Sequence, residues 1–235
     1  MALPFFYIET IDADASSIVL SEETSKHMIQ VLRMHVGDQI QLADGIGKKI
    51  IAEITDDNRK KCTVQIVQTT NHKPPTTNLT IAISLIKNTT RFEWFLEKAT
   101  EIGVTTIIPL ICKRTEKQNF RHDRMNAILI SAMLQSQQCW LPVLREPTKF
   151  NAVISSTSDQ QKFIAHCVDE EKRNLADMVN ENLSSKIILI GPEGDFTPGE
   201  IDMAVKHHFI PVALGNTRLR TETAGLVAVT LLVSL

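Results

Sequence analysis

The chain has 235 residues, 43% of them hydrophobic, and is nearly charge-balanced, with 25 Lys+Arg against 27 Asp+Glu. That length holds one large domain or two small ones, and the apolar content excludes a wholly disordered chain. A formal net charge of −2 argues against a protein that grips any polyanion through bulk positive charge.

Residues 1–72 read as short strands with one helix. Ser21 stands as N-cap to a helix over 22–32, whose apolar residues fall at 28, 29, 31 and 32. Residues 39–43 and 49–54 flank Asp44-Gly45-Ile46-Gly47, a hairpin turn, and 62–67 alternates as a further strand. The run from His72 to Asn78, with Pro74 and Pro75 adjacent, ends this β-rich module and reads as a linker. The expected domains are therefore 1–72 and 73–235.

Beyond the linker the pattern changes. Strands are predicted over 79–86, 104–112, 163–168, 186–190 and 211–214. They alternate with helices over 91–102, 124–139, 172–179, 198–207 and 223–232. Gly103 suits the end of the first of these helices. Near-continuous apolar strands between helices predict an α/β domain with a mainly parallel sheet covered on both faces.

The first seven residues are apolar but carry no basic region and meet Glu9 too soon for a signal segment. No apolar run approaches the roughly 18 residues that a membrane helix needs. The four cysteines, Cys62, Cys112, Cys139 and Cys167, form no C-x-x-C pair, and His207-His208 lacks a partner one helical turn away. A cytoplasmic protein with reduced thiols, no membrane partner and no metal is expected.

Charge is unevenly distributed. Residues 1–72 hold 7 basic and 10 acidic side chains, 73–150 hold 11 and 6, and 151–235 hold 7 and 11. The basic middle concentrates at Lys113, Arg114, Lys117, Arg121 and Arg124. Such a run is either a solvated loop or a patch that holds a polyanion.

Two loops carry the sharper signals. The strand 186–190 runs into Gly191-Pro192-Glu193-Gly194-Asp195-Phe196 and then a helix, with Thr197, Pro198 and Glu200 forming a capping box with proline at N1. Loops at the carboxyl ends of α/β strands are where ligands bind. The absent β carbons at Gly191 and Gly194 would let a flat ligand approach the backbone. The loop matches neither the P-loop nor the G-x-G-x-x-G pattern, and Pro192 removes a donor, so a base or thioether suits it better than a phosphate. An ordinary tight turn is the competing reading. The second loop, Leu214 to Glu222, feeds a helix expected to be capped by Thr223, with Arg218 and Arg220 before it. Here the competing reading is a capped helix with surface arginines. Charge pairs explain Glu97, Lys98 and Glu101 on the helix 91–102. Gln135 and Ser136 are either exposed helix-end residues or an amide row facing a base.

Taken together, these segments resemble one family. The carriers are L-I-G-P-E-G-D-F-T-P-x-E at 189–200, L-G-x-x-x-L-R-T-E-T-A at 214–224, and E-K-A-T-E-I-G-V at 97–104. H-x-x-x-V-L-R-x-x-x-G-D at 27–38 extends the likeness to the N-terminal module. The whole chain is similar to the ribosomal RNA small-subunit methyltransferase E family, a branch of the trefoil-knotted SPOUT methyltransferases. The resemblance implies a knotted α/β domain behind a PUA-like β-barrel that helps hold RNA. It also implies a homodimer, S-adenosylmethionine as cofactor, and N3-methylation of one uridine in 16S ribosomal RNA, favoured on the assembled small subunit.

Carried onto this chain, the cofactor would be held by Ile190, Gly191, Pro192, Glu193, Gly194, Leu214, Gly215, Leu219, Thr221, Thr223 and Ala224. Arg220 would stabilise negative charge on the uridine, and Glu222 or Glu193 would act as base or orient Arg220. Arg33, Arg91, Lys113, Arg114, Lys117, Gln135 and Ser136 would contact RNA. Three positions depart from the family pattern. Asp195 stands where a second glycine is usual, Leu134 where a glutamate is, and Arg218-Leu219 where isoleucine-leucine is.

Overall fold

A computed structural model of the protein describes residues 3–10, 15–116, 119–168 and 172–234. The chain divides into two units, Met1–Pro74 with Met133–Leu141, and Pro75–Ala132 with Pro142–Leu235.

In the first unit, β1 (Phe5–Tyr7), β2 (Ser17–Val19), β3 (Gln39–Ala43), β4 (Lys48–Asp56) and β5 (Thr63–Asn71) form one sheet in the order β1-β3-β4-β5-β2. β1 runs parallel to β3 and the other pairings are antiparallel. Alternation along β4 turns Ile50, Ala52 and Ile54 onto a core with Ile40, Leu42, Val64 and Met28. The predicted hairpin turn is held by Asp44, whose Oδ1 accepts the N–H groups of Ile46 and Lys48, each at 2.9 Å.

The helix expected over 22–32 is broken. Ser21 caps it as predicted, its Oγ accepting Thr24 N–H at 3.2 Å. However, α1 (Glu22–Lys26) passes into a π-helical turn over His27–Val31, and Arg33 has φ 56°. The apolar residues at 28–34 do not share one α-helical face. Met28 and Met34 are buried, while Val31 and Leu32 stand in solvent. The segment 133–141 also serves this unit. Met133, Cys139, Trp140 and Leu141 pack with Ala43, Phe5 and Tyr7. Gly47 donates to the Cys139 carbonyl at 2.9 Å, and Leu141 to that of Gly45 at 2.8 Å.

The second unit contains β6 (Asn78–Ser84), β7 (Thr106–Ile111), β8 (Val143–Leu144), β9 (Thr148–Lys149), β10 (Gln161–Ala165), β11 (Arg173–Asn174), β12 (Ser185–Ile190) and β13 (Ile210–Ala213). Their order is β11-β13-β10-β12-β6-β7-β8, with β9 also on β7, and every pairing is parallel. The helices are α2 (Thr89–Ile102), α3 (His122–Gln135), α4 (Phe150–Ser156), α5 (Leu175–Met178), α6 (Pro198–Lys206) and α7 (Thr221–Ser234).

A parallel sheet needs cover on both faces. Ile187 and Leu189 of β12 meet Phe150, Val153 and Ile154 of α4, Ile201 and Ala204 of α6, and Phe196 and Phe209. α2 and α7 cover the other face. There Gly225 permits close approach, since a β carbon at this position would lie 2.7 Å from Ile83 Cδ1 and 2.8 Å from Phe95 Cε2.

Helix ends follow local chemistry. Asn88 Oδ1 accepts Arg91 N–H at 3.3 Å, and Gly103, at φ 107°, ends α2 as predicted. The capping box of α6 is present: Thr197 Oγ1 accepts from Glu200 N and Glu200 Oε2 from Thr197 N.

Other boundaries differ from expectation. The helix predicted over 124–139 stops at Gln135, and Gln137 has φ 60°. The helix predicted over 172–179 shrinks to α5, because Arg173 and Asn174 pair with β13 as a strand. α7 starts at Thr221 rather than after Thr223. The Arg220 carbonyl already accepts Ala224 N–H at 2.7 Å, so Thr223 lies inside the helix and caps nothing. The short helix α4 carried no signal that the sequence reading detected.

Candidate active site

β7 and β8 extend the sheet to one side of β6, while β12, β10, β13 and β11 extend it to the other. Segments leaving the carboxyl ends of β6, β10, β12 and β13 line a crevice there. The crevice has two lobes of about 440 Å³ and 420 Å³, a size that suits a small ligand. Ala165, Cys167, Arg218, Leu219 and Ala224 border both lobes.

The first lobe is charged. Arg91 and Asn88 reach it from α2 and its cap, Ile190 to Glu193 and Asp195 from the loop after β12, and Arg218 to Glu222 from the segment that becomes α7. The second lobe has an apolar wall, where Val212, Ala213, Leu214 and Gly215 at the end of β13 face Ala165 to Val168 from the end of β10, and Lys172 and Arg218 line it as well. Gly215 has φ 135° and open space where a β carbon would stand, so bare backbone faces the lobe there.

Several hydrogen bonds hold the walls in place. Thr221, at the buried start of α7, donates its hydroxyl to the Gly191 carbonyl at 3.0 Å. Glu193 Oε1 accepts the Lys87 N–H at 2.9 Å, joining the loops after β12 and β6. Arg114 Nη1 donates to the Gly194 carbonyl at 2.6 Å. Glu200, besides closing its capping box, accepts Lys113 N–H at 2.8 Å. Glu222 is buried, with Oε1 3.7 Å from Arg91 Nε.

The structure gathers most of the sequence-predicted residues. Ile190, Gly191, Pro192, Glu193, Leu219, Arg220, Thr221, Glu222, Ala224 and Arg91 border the first lobe, and Leu214, Gly215, Leu219 and Ala224 the second. Gly194 and Thr223 border neither lobe. The expected reason for Gly191 does not hold. Its β position faces the Phe196 ring at 3.1 Å, so its bareness makes room for a core side chain rather than for a ligand. Arg33, Gln135 and Ser136 belong to the first unit, and Lys113 and Arg114 to the second. Lys117 lies outside the described residues.

The basic run is partly occupied within the fold. Glu93 clasps Arg124 at Nε (2.6 Å) and Nη2 (3.0 Å). That bond is the main reason the Glu93 carboxyl is held below the usual range. Sequence reasoning missed the wall formed by Ala165, Cys167 and Val168. The available signal was that this segment also leaves the carboxyl end of a parallel strand. Among the described residues, no group of three or more His, Cys, Asp or Glu could hold a metal ion, and no helix is long and apolar enough to cross a membrane.

Comparison with known proteins agrees with this architecture. Residues 72–233 match the RNA methyltransferase domain family, and residues 20–67 the RNA methyltransferase PUA domain family. A ribosomal RNA small subunit methyltransferase E from Synechocystis is 30% identical, with 91% of this chain and 71% of the relative covered. The structure of a probable rRNA-methyltransferase from Porphyromonas gingivalis superposes with a TM-score of 0.89 at 38% identity, covering 97% of this chain and 95% of that one. A ribosomal RNA small subunit methyltransferase E from Neisseria gonorrhoeae, bound to S-adenosyl methionine, superposes with a TM-score of 0.87 at 27% identity, covering 97% and 95%. Matches of this extent over both units, with the crevice at the carboxyl ends of an all-parallel sheet, make the chain a member of the ribosomal RNA small subunit methyltransferase E family.

Proposed function

We propose that the chain is an S-adenosylmethionine-dependent methyltransferase that modifies N3 of one uridine in 16S ribosomal RNA. In this reading it acts as a homodimer on the assembled small subunit, with a trefoil knot in its second unit. The two-lobed crevice carries the reading: an apolar-walled lobe adjoins one lined by Arg91, Arg218 and Arg220 and by Glu193 and Glu222. The relative crystallised with S-adenosyl methionine supports the cofactor.

The residues present fit that cofactor. Val212, Leu214, Leu219 and Ala224 offer apolar surface to a flat base, and Gly215 brings bare backbone beside it. The first lobe provides charge of both signs for an amino-acid end and an incoming nucleotide. When bound, the cofactor supplies a methyl group on a sulfonium.

The protein's task is then positioning and charge stabilisation. In-line approach of a held nucleophile supplies much of the rate. Uridine N3 carries a proton that must leave before or as its lone pair forms the new N–C bond, at the expense of the methyl–sulfonium bond, whose electron pair would stay on sulfur. Glu222, steadied by Arg91, accepts that proton on a carboxylate oxygen. Arg220, exposed at the lobe, donates to the uridine carbonyl oxygens on which negative charge accumulates. Lys113, Arg114 and Lys117 of the second unit contact RNA phosphates, and Arg33, Gln135 and Ser136 belong to the grip of the PUA-like first unit.

Two experiments test this. Arg220→Ala should keep S-adenosylmethionine binding while methylation falls by about 10²–10³-fold, the usual cost of removing one preorganised donor. Transfer at the wild-type rate would remove Arg220 from this role. Mass spectrometry of 16S rRNA from cells with and without the protein should show one N3-methyluridine lost, and identical spectra would refute the function.

A further inference from the structure

Asp195 closes the turn after β12, its N–H bonding to the Pro192 carbonyl at 2.9 Å, with φ 63°. That left-handed backbone favours glycine and tolerates aspartate and asparagine. The turn itself does not need a carboxylate, yet both carboxylate oxygens here are engaged. Oδ1 accepts the N–H of Phe196 at 2.8 Å, and Oδ2 accepts the N–H of Cys167 at 2.8 Å. Phe196 is buried in the core of the second unit. Cys167 lies in the loop after β10, 28 residues away in the chain, and borders both lobes of the crevice. One carboxylate thus ties an anchored residue to the wall between the lobes. Along the same wall Lys172 donates to the Val168 carbonyl and lies 3.4 Å from His166 Nδ1.

We propose that Asp195 is a positioning residue for the cofactor. By holding the Cys167 backbone it fixes the partition between the two lobes, so it sets affinity for S-adenosylmethionine rather than the rate of methyl transfer. The assignment rests on the function proposed above. A partition that is already ordered need not be ordered by the ligand, and that difference enters binding.

Asp195→Gly and Asp195→Asn in the full chain test this, since both residues tolerate the left-handed backbone and neither adds strain. Three quantities are measured: S-adenosylmethionine affinity by calorimetry, single-turnover methylation at saturating cofactor, and hydrogen exchange of individual amides. For Asp195→Gly, loss of a charge-assisted bond predicts affinity weaker by about tenfold or more. The saturated rate should stay within about twofold of wild type. Exchange should accelerate at Cys167 and Phe196 while the β12 amides stay protected. Asp195→Asn keeps one acceptor oxygen and should recover part of the affinity.

Unchanged affinity and unchanged Cys167 exchange in Asp195→Gly would overturn the proposal. So would faster exchange throughout β12 and α6, which would mark general destabilisation. So would a lower saturated rate at unchanged affinity. Wild-type protein that does not bind S-adenosylmethionine would overturn the proposed function and the cofactor role with it, while Cys167 exchange would still report on the tether.

Discussion

Replacing Gly225 with alanine tests how α7 is seated on the sheet. The added β carbon would lie 2.7 Å from Ile83 Cδ1 and 2.8 Å from Phe95 Cε2. Carbon pairs rest at about 3.5 Å or more, so each contact intrudes by roughly 0.7 Å. Neither neighbour can retreat into solvent, because Ile83 and Phe95 are both 0% exposed. Overpacking of this kind costs about 1–3 kcal/mol. Alanine recovers up to about 1 kcal/mol of helix propensity relative to glycine. Two simultaneous clashes against buried groups place the cost near the upper end, so overpacking wins with a net loss of about 2 kcal/mol. For a chain of this size that lowers the melting temperature by roughly 4–8 °C. Gly225 also lies one turn beyond Thr221 and Glu222, so a displaced helix should carry those residues away from the crevice and slow methylation. Calorimetric melting and urea titration of Gly225→Ala read the stability. Adding Phe95→Leu should relieve part of the clash, so that the double variant loses less than the sum of the singles, with a coupling of about 0.5–3 kcal/mol. A Gly225→Ala protein as stable as wild type would refute the close-approach reasoning.

Two further predictions concern the same unit. Thr221→Val removes the hydroxyl that bonds the Gly191 carbonyl while keeping the side-chain shape. It should cost about 1–3 kcal/mol for the buried group left unpaired, and weaken S-adenosylmethionine binding by loosening the loop after β12; unchanged urea midpoint and affinity would sink it. Burial, with the nearby Glu200 charge adding to it, raises the Cys112 thiol well above its ordinary 9.0. Below pH 9 the folded and unfolded thiols are both protonated and nothing is lost. Above it the unfolded chain gives up a proton that the folded chain keeps, so stability falls by about 1.4 kcal/mol per pH unit. Urea titrations across pH 8–11 should show a shallower decline for Cys112→Ala than for wild type, and parallel declines would refute the assignment.

Much of the site was legible because its signals are local. Thr197-Pro198-Gly199-Glu200 encodes a helix start within four residues, and the structure contains that capping box. The apolar strand 186–190 and the glycine-bearing loop after it placed a crevice at a strand's carboxyl end, where it lies. Illegible features depend on partners distant along the chain. The bond from Arg114 to Gly194 spans 80 residues, and the grip of Glu93 on Arg124 spans 31. Both convert part of an apparently free basic run into internal structure. The failure at 22–32 has a different cause. Apolar spacing there fits a helix, but the chain passes through a π-helical turn over His27–Val31 and turns left-handed at Arg33, which breaks the periodicity before Met34.

By itself the amino-acid sequence determined the alternation of strand and helix, the helix ends at Ser21, Gly103 and Thr197, the two loops that hold candidate ligand residues, and the resemblance that ties them together. These depend on periodicity and on side chains within a few positions of one another. Tertiary structure alone decided three things: that Ala165 and Cys167 border both lobes, that Gly191 makes room for Phe196, and that residues 133–141 pack with the first unit. The first and third are relations between segments whose order in the chain says nothing about their distance in space until the fold is set. The second depends on which way the Phe196 ring turns once it joins the core.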